Sequence, residues 1–220
     1  MLKNKIMMLL VTIVGILSIN IINASNNDLP LLGKVIYIDP GHGGVDPGAI
    51  YKDIYEADIN LLISKKLETI LLEKGAIVYM TRDGNYDLSV PNAYARKRSD
   101  LSRRANIIND SMCDLYLSIH LNAESTGIWH GAQVFYDDIN PKNKIVASIM
   151  QDVLKKDLNS KREYKEINDM YLHKRVTRPG ILIEVGFLTN ANDRYLLSQD
   201  TYRQKIALSI SKGVEIYFNS

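Results

Sequence analysis

The sequence predicts an α/β fold: a single domain with a mainly parallel, twisted sheet of about six strands and helices on both faces. Three observations carry this prediction. From Lys34 onward, short runs of β-branched and aromatic residues alternate with longer stretches of helical period. The run "GILIEVGF" (180–187) is nearly all apolar, as in a strand covered on both faces. Once an N-terminal segment is set aside, about 190 residues remain, enough for one hydrophobic core, and they contain no internal repeat.

The chain of 220 residues opens on the basic "MLKNK", followed by the apolar run Ile6–Ile22. A basic stretch leading into an apolar one reads as an export signal. "INAS" offers a cut after Ala24, although Ile22 stands where a small residue is preferred. The apolar run is also at the short end for crossing a bilayer. Residues 1–24 are therefore assigned as a signal peptide or an N-terminal membrane anchor, and 25–33 as a polar linker. No cysteine stands near the end of this segment, which excludes lipid attachment there.

The domain begins with "KVIYID" (34–39), a strand by its β-branched and aromatic content. Ile59, Leu62, Ile63, Leu67, Ile70 and Leu71 share one helical face, and the helix stops at Gly75. "AIVYMTR" (76–82) is a second strand, and residues 83–98 are polar and irregular. "SDLSRRANIIND" (99–110) reads as a helix opened by a Ser/Asp cap. "DLYLSIHLNA" (114–123) and "GAQVFYD" (131–137) are strands, and "NKIVASIMQDVLKKDL" (143–158) is a helix. "KKDLNSKREYKE" is a solvated, charged face. After the 180–187 strand, "TYRQKIALSISKGVEIYF" (201–218) is the last helix.

Composition is that of a globular protein, 46% hydrophobic and 24% charged. Formal charge is +2, but Lys3 and Lys5 precede every acidic residue, and without them the two signs balance. That argues against nucleic acid as a partner, since phosphate contacts need a basic surface. Cys113 is the only cysteine, so there is no intramolecular disulfide and no cysteine-based zinc site.

The chemistry gathers around "DPGHGGVDPGA", Asp39–Ala49. No Gly-Lys-Ser/Thr follows, so it is not a phosphate loop, and it does not match the dinucleotide pattern. In an open α/β sheet, ligands sit beyond the carboxyl ends of the strands. His42 follows the first strand, His120 closes "DLYLSIH", Glu184 closes "GILIE", and Glu56 begins the first helix. Two histidines and one carboxylate make a catalytic zinc set with one position left open. The glycines permit the backbone angles and close approach that aim an imidazole at a metal. Asp39 or a loop carbonyl is expected to fix the imidazole tautomer. Zinc is expected over copper or iron because no sulfur ligand or redox residue accompanies the set, although the ligands alone suit other divalent metals too. Glu184 is either a fourth ligand, which would close the site, or a general base acting on water. Spacing leaves both open.

Each residue also has a plainer reading. His42 is a loop histidine, Glu56 a first-turn acid favoured by the helix dipole, His120 a strand-end histidine bonded to a carbonyl, and Glu184 the ion-pair partner of Arg178. Their convergence on one rim outweighs the four separate readings. His130 and His173 lie away from the predicted strand tips and are not expected to touch metal. Arg103 and Arg104 read as surface or salt-bridge residues. Trp129, the only tryptophan, lies in a loop, where it stacks on a sugar or peptide or simply packs.

Together, "DPGHGGVDPGA", "YEADINL", "SRRAN", "LSIHLNA" and "ILIEVGFLTNANDRYLL" resemble the signature blocks of the zinc-dependent N-acetylmuramoyl-L-alanine amidases, the type-3 amidase family. The blocks stand in family order from about residue 34 to 218. "RKRSDLSRRANIIND" and "DLYLSIHLNA", with a hydrophobic N-terminal segment and no wall-binding repeats, further resemble the spore-cortex, germination-specific branch. The resemblance implies that 34–220 is an amidase catalytic domain holding one Zn2+ through His42, Glu56 and His120, with Glu184 catalytic. Asp39, Asn122, Arg104 and Trp129 are assigned to the substrate or to the support of these groups.

The implied substrate is peptidoglycan, cut between the lactyl group of N-acetylmuramic acid and L-alanine. In the spore branch this cut precedes muramic-δ-lactam formation, which a deacetylase completes. The implied location is the exported cell envelope around the developing spore, with the membrane met only through the N-terminal segment. Some family members carry a long helical insertion that blocks the site. Between Phe135 and Arg178 this chain has room for one helix and a loop. Control is therefore expected from expression, location, metal supply or a small activating protein partner. The rival readings are a non-catalytic peptidoglycan-binding module, a zinc peptidase acting on stem peptides, and a structural envelope protein.

Overall fold

The computed structural model describes residues 29–220, so the signal-or-anchor assignment and the first part of the linker, 25–28, lie outside the described residues. The elements run β1 (Val35–Pro40), β2 (Ile50–Tyr51), β3 (Ile54–Tyr55), α1 (Glu56–Glu73), β4 (Ile77–Met80), α2 (Arg96–Asp110), β5 (Leu115–Asn122) and β6 (Gln133–Tyr136). They continue with α3 (Lys142–Leu158), β7 (Lys165–Glu166), a 3-10 turn (His173–Arg175), β8 (Gly180–Phe187), α4 (Ala191–Ser198) and α5 (Asp200–Phe218). The main sheet has six strands in the order β4-β1-β5-β8-β6-β7. β4, β1, β5 and β8 are mutually parallel, β6 runs antiparallel to β8, and β7 runs parallel to β6. β2 and β3 form a separate antiparallel pair.

The period of two along each strand sorts the side chains onto two unequal faces. Ile36 and Ile38 of β1, Leu115 and Leu117 of β5, and Ile181 and Ile183 of β8 enter a large core shared with α1, α3 and α5. Tyr37 and Tyr116 point the other way, into a small cluster with Ala105 and Ile108 of α2, and with Leu172 and Val176 beside the 3-10 turn. Continuing the alternation, Asp39, Ser118, His120 and Glu184 follow onto this thinly covered face. The large core holds the sheet, and the thin face leaves room for a site.

The structure shifts several expected boundaries. α2 starts at Arg96 behind Ala95, which offers no side-chain cap. Ser99 and Asp100 lie inside the helix, and Asp100 accepts from Leu88 N at 2.8 Å. Leu62 is 46% exposed, so the buried stripe of α1 runs through Ile59, Ile63, Leu67, Ile70 and Leu71. Gly75, at φ +86°, takes the left-handed turn after that helix, as expected. The β2–β3 pair, α4 and β7 were not predicted. β7 lies in the charged run and owes its two-residue ladder to β6 rather than to any strand pattern of its own. α4 is opened by Asn190, whose side chain accepts from the amides of Asn192 and Asp193.

Candidate active site

The loop after β1 is built to present His42. Its residue sits in left-handed backbone, φ 62°, unusual for a side chain other than glycine. Two buried arginines hold that conformation by its carbonyls. Arg104 donates from Nη1 to Pro40 O at 2.9 Å and from Nη2 to His42 O at 2.7 Å. Arg82 donates from Nε to Pro40 O at 2.9 Å, and from Nη2 to Gly41 O and Ala57 O, both at 2.8 Å. Asp39 lies beneath them. It accepts from Arg104 Nη1 at 2.8 Å, Thr81 Oγ1 at 2.7 Å and Ser118 Oγ at 2.8 Å. Burial alone would raise its pKa, but Arg104 and these donors bring it down to about 2. Burial lowers Arg82 to about 10, with the neighbouring Arg104 charge acting in the same direction.

The two imidazoles converge on one carboxylate. Glu56 Oε1 lies 3.1 Å from His42 Nε2 and 3.0 Å from His120 Nδ1. The rings meet edge to face with centroids 4.9 Å apart. The other Glu56 oxygen accepts from Ala49 N at 2.8 Å, and Asn60 Nδ2 reaches both Glu56 Oε1 and Gly41 O at 3.3 Å. Burial opposes the charge on Glu56, but the two histidines override it and hold its pKa well below the carboxylate range. For His42, burial disfavours the imidazolium and is outweighed by Glu56 and Asp46, so its pKa is raised. Ligand-type atoms of His42, Glu56 and His120 all lie within 4.8 Å of one another. This donor set, two imidazole nitrogens and a carboxylate oxygen, fits a divalent metal.

The tautomer of His42 is fixed by Asp46, whose Oδ2 lies 3.0 Å from Nδ1. Sequence reasoning assigned that role to Asp39 or a loop carbonyl. Asp39 instead spends its oxygens on Arg104, Thr81 and Ser118, because it points under the loop. Asp46 carried a readable signal, since it stands four residues from His42 in the same glycine-rich turn. Arg82 and Asn60 were also missed. Nothing in their sequence context sets them apart, because the carbonyls they hold are brought to them by the fold.

Glu184 stands in the interior of β8, directly opposite His120 on β5 and Gln133 on β6. It does not end its strand, which continues to Phe187. Its Oε2 is buried without a hydrogen-bond partner, and it stands apart from the three-residue cluster. Burial, then the Glu56 charge, raise its pKa to about 8 against the opposing influence of His42. Arg178 is not its partner, because that guanidinium binds Asn109 O at 3.0–3.1 Å. His42, Glu56, His120 and Glu184 line one open cleft of about 440 Å³ with Asp39, Arg104 and Asn122. Trp129 lies outside it, 55% exposed, in an adjoining groove that shares Asn122. Of the surface and salt-bridge roles read for the two arginines, buried Arg104 takes the second, pairing with Asp39 and Asp100, while Arg103 is exposed. His130 is exposed, and His173 is buried against the Tyr116 hydroxyl at 2.7 Å; neither joins the cluster.

Comparison with known proteins gives this arrangement its family. The N-acetylmuramoyl-L-alanine amidase family matches residues 36–216, from the first strand to the last helix. This chain belongs to that family. The germination-specific N-acetylmuramoyl-L-alanine amidase of Bacillus subtilis is 45% identical over 204 residues, covering 88% of this chain and 86% of the relative. The CwlD amidase of Clostridioides difficile, solved in complex with the GerS lipoprotein, superposes with a TM-score of 0.81. It is 37% identical, over 85% of this chain and 99% of that one. An N-acetylmuramoyl-L-alanine amidase of Clostridium difficile 630 follows with a TM-score of 0.77 and 31% identity, over 86% of this chain and 98% of that one. The amidase family thus shares the single α/β domain, and His42, Glu56, His120 and Glu184 lie in one cleft of it.

Proposed function

We propose that this amidase is zinc-dependent and hydrolyses the amide between the lactyl group of N-acetylmuramic acid and L-alanine in peptidoglycan. His42, Glu56 and His120 hold the metal, and Glu184 is the catalytic acid and base. The observation that carries this reading is the convergence of two imidazoles on one Glu56 oxygen, beside a buried, unpartnered Glu184 in an open cleft. Zinc bound there supplies a Lewis acid that polarises the amide carbonyl and makes water more acidic. Glu184 accepts the proton of the attacking water and returns it to the departing amine of L-alanine. Asp46 keeps the His42 ring in one tautomer and orientation. Arg82 and Arg104 keep the His42 backbone in its left-handed turn.

The kinship with a germination-specific amidase supports a role in the spore cortex, where stem-peptide removal precedes muramic-δ-lactam formation by a deacetylase. Export through residues 1–24, cleaved or retained as an anchor, brings the domain to the envelope. That the CwlD neighbour was solved with a lipoprotein supports control by a small protein partner.

The test is a digest of isolated peptidoglycan by the zinc-loaded protein and its Glu184→Gln variant, read by mass spectrometry. The wild type releases stem peptides that begin with L-alanine. The variant binds zinc equally and loses about 10²–10⁴-fold in rate. A variant as active as wild type refutes the role of Glu184. Amino acids or shorter peptides as products indicate a peptidase, and intact muropeptides a missing activating partner or a binding module.

A further inference from the structure

Beside the cleft, across Asn122, lies a second groove of about 230 Å³. Its central group is Arg162, in the connection between α3 and β7. The guanidinium carbon lies 5.2 Å from the Trp129 ring centroid and 5.0 Å from that of Phe187. Its Nε donates to Gln133 Oε1 at 2.7 Å, and Gln133 Nε2 donates in turn to Glu163 O at 2.8 Å. Two aromatic rings and one hydrogen bond thus fix the plane of the guanidinium. Among the described residues, its terminal nitrogens donate to no protein group and no carboxylate pairs with it. Lys165 adds a second positive charge to the groove. The acid there, Glu124, is engaged by its own loop, accepting from Thr126 N at 3.0 Å and Ser125 Oγ at 3.2 Å.

A rigid guanidinium with free terminal donors is shaped for bidentate pairing with a carboxylate. Its location says which one. Gln133 is the cross-strand partner of Glu184, so their side chains share a face of the sheet. Arg162 therefore lies one side chain beyond the position next to Glu184, and Asn122 borders both cavities. A chain leaving the cleft past Asn122 arrives at Arg162. In the proposed substrate the glycan is N-acetylated and uncharged, whereas the acidic groups belong to the peptide.

We propose that this groove is a subsite for the stem peptide, in which Arg162 pairs with the free carboxylate of an acidic residue just beyond L-alanine and Trp129 packs against the peptide. The proposal rests on the amidase reading of the neighbouring cleft and adds a specificity to it: stem peptides with a free carboxylate at that position are preferred over amidated ones.

Trp129 is the only tryptophan of the chain, so its fluorescence reports directly on the groove. The zinc-loaded protein is titrated with L-alanyl-γ-D-glutamyl peptide carrying either a free α-carboxylate or its α-amide. The expected result is a saturable emission change with the acid, at least tenfold tighter binding of acid than of amide, and loss of that ratio in Arg162→Gln. Arg162→Lys should recover part of the ratio, since it keeps the charge and loses the fork. Equal affinity for acid and amide, no saturable change with either, or a ratio that survives in Arg162→Gln overturns the proposal. Binding requires no bond cleavage, so the ratio is judged independently of the digest. A digest that releases products other than stem peptides beginning with L-alanine, with an intact ratio, refutes the amidase reading, whereas a successful digest without the ratio refutes this subsite.

Discussion

At Gly41 any side chain would strike the His120 imidazole: a Cβ built there lies 2.2 Å from its Cε1 and 2.3 Å from Nε2. Gly48 is constrained in the same way by Glu56 Oε2 at 2.6 Å and His42 Cδ2 at 2.7 Å, and its φ of +68° adds a second reason for glycine. The glycines around His42 thus do two jobs, turning the backbone and letting the loop lie against the ligands. Gly41→Ala should therefore displace His120. The expected outcome is a zinc affinity at least tenfold weaker in competition with a chelator, while the fold loses only about 1–3 kcal/mol, the usual cost of overpacking. Unaltered zinc affinity would show that the His120 ring has slack. At this scale the sequence was legible in residue type. His42, Glu56, His120 and Glu184 were named from their places after strands and at a helix start, and they do share a cleft. Asp46 was overlooked and its role given to Asp39 or a loop carbonyl, because two carboxylates flank one histidine in sequence and only the turn decides which reaches the ring.

Among elements, the joint of β1, β4 and α1 depends on Arg82. From the end of β4 it binds carbonyls of the His42 loop and of the first turn of α1, ending several backbone acceptors at once. Arg82→Gln strips most of these bonds and leaves buried oxygens short of donors, at a cost of roughly 2–4 kcal/mol. For a domain of this size that corresponds to a Tm lower by about 5–10 °C. Zinc affinity should fall as well, since the same guanidinium shapes the loop. A thermal unfolding curve that overlays wild type would refute this. Strands and long helices were legible because their hydrophobic periods are set by burial. α4 and the β2–β3 pair were not, because a two-residue ladder or an eight-residue helix carries too short a period. The start of α2 was misplaced because Asp100, which reads as a cap, is recruited by Arg104 at 2.9 Å and by Leu88.

For the molecule as a whole, the buried Asp39–Arg104 pair links stability to pH. The carboxyl titrates at about 2 in the folded state against 3.8 as its ordinary value. Its contribution is thus fully present above about pH 4 and is lost as pH falls through about 2, amounting to about 2 kcal/mol. Asp39→Asn should destabilise the protein at neutral pH and flatten the acid limb of its stability curve between those values, measured by urea unfolding. A limb as steep as wild type would assign acid sensitivity to other carboxylates. The amino-acid sequence by itself determined the α/β class, the parallel core and the residue types of the site, because these follow from hydrophobic period and from what a strand end can display. The tertiary structure alone decided the rest: which carboxylate holds His42, that two arginines clamp its loop from beneath, and that Arg162 meets Trp129 beside the cleft. The arginine and Trp129 contacts join residues tens of positions apart, which no local pattern encodes until the sheet sets its strands side by side, and the choice between the two carboxylates near His42 falls to the turn of their shared loop.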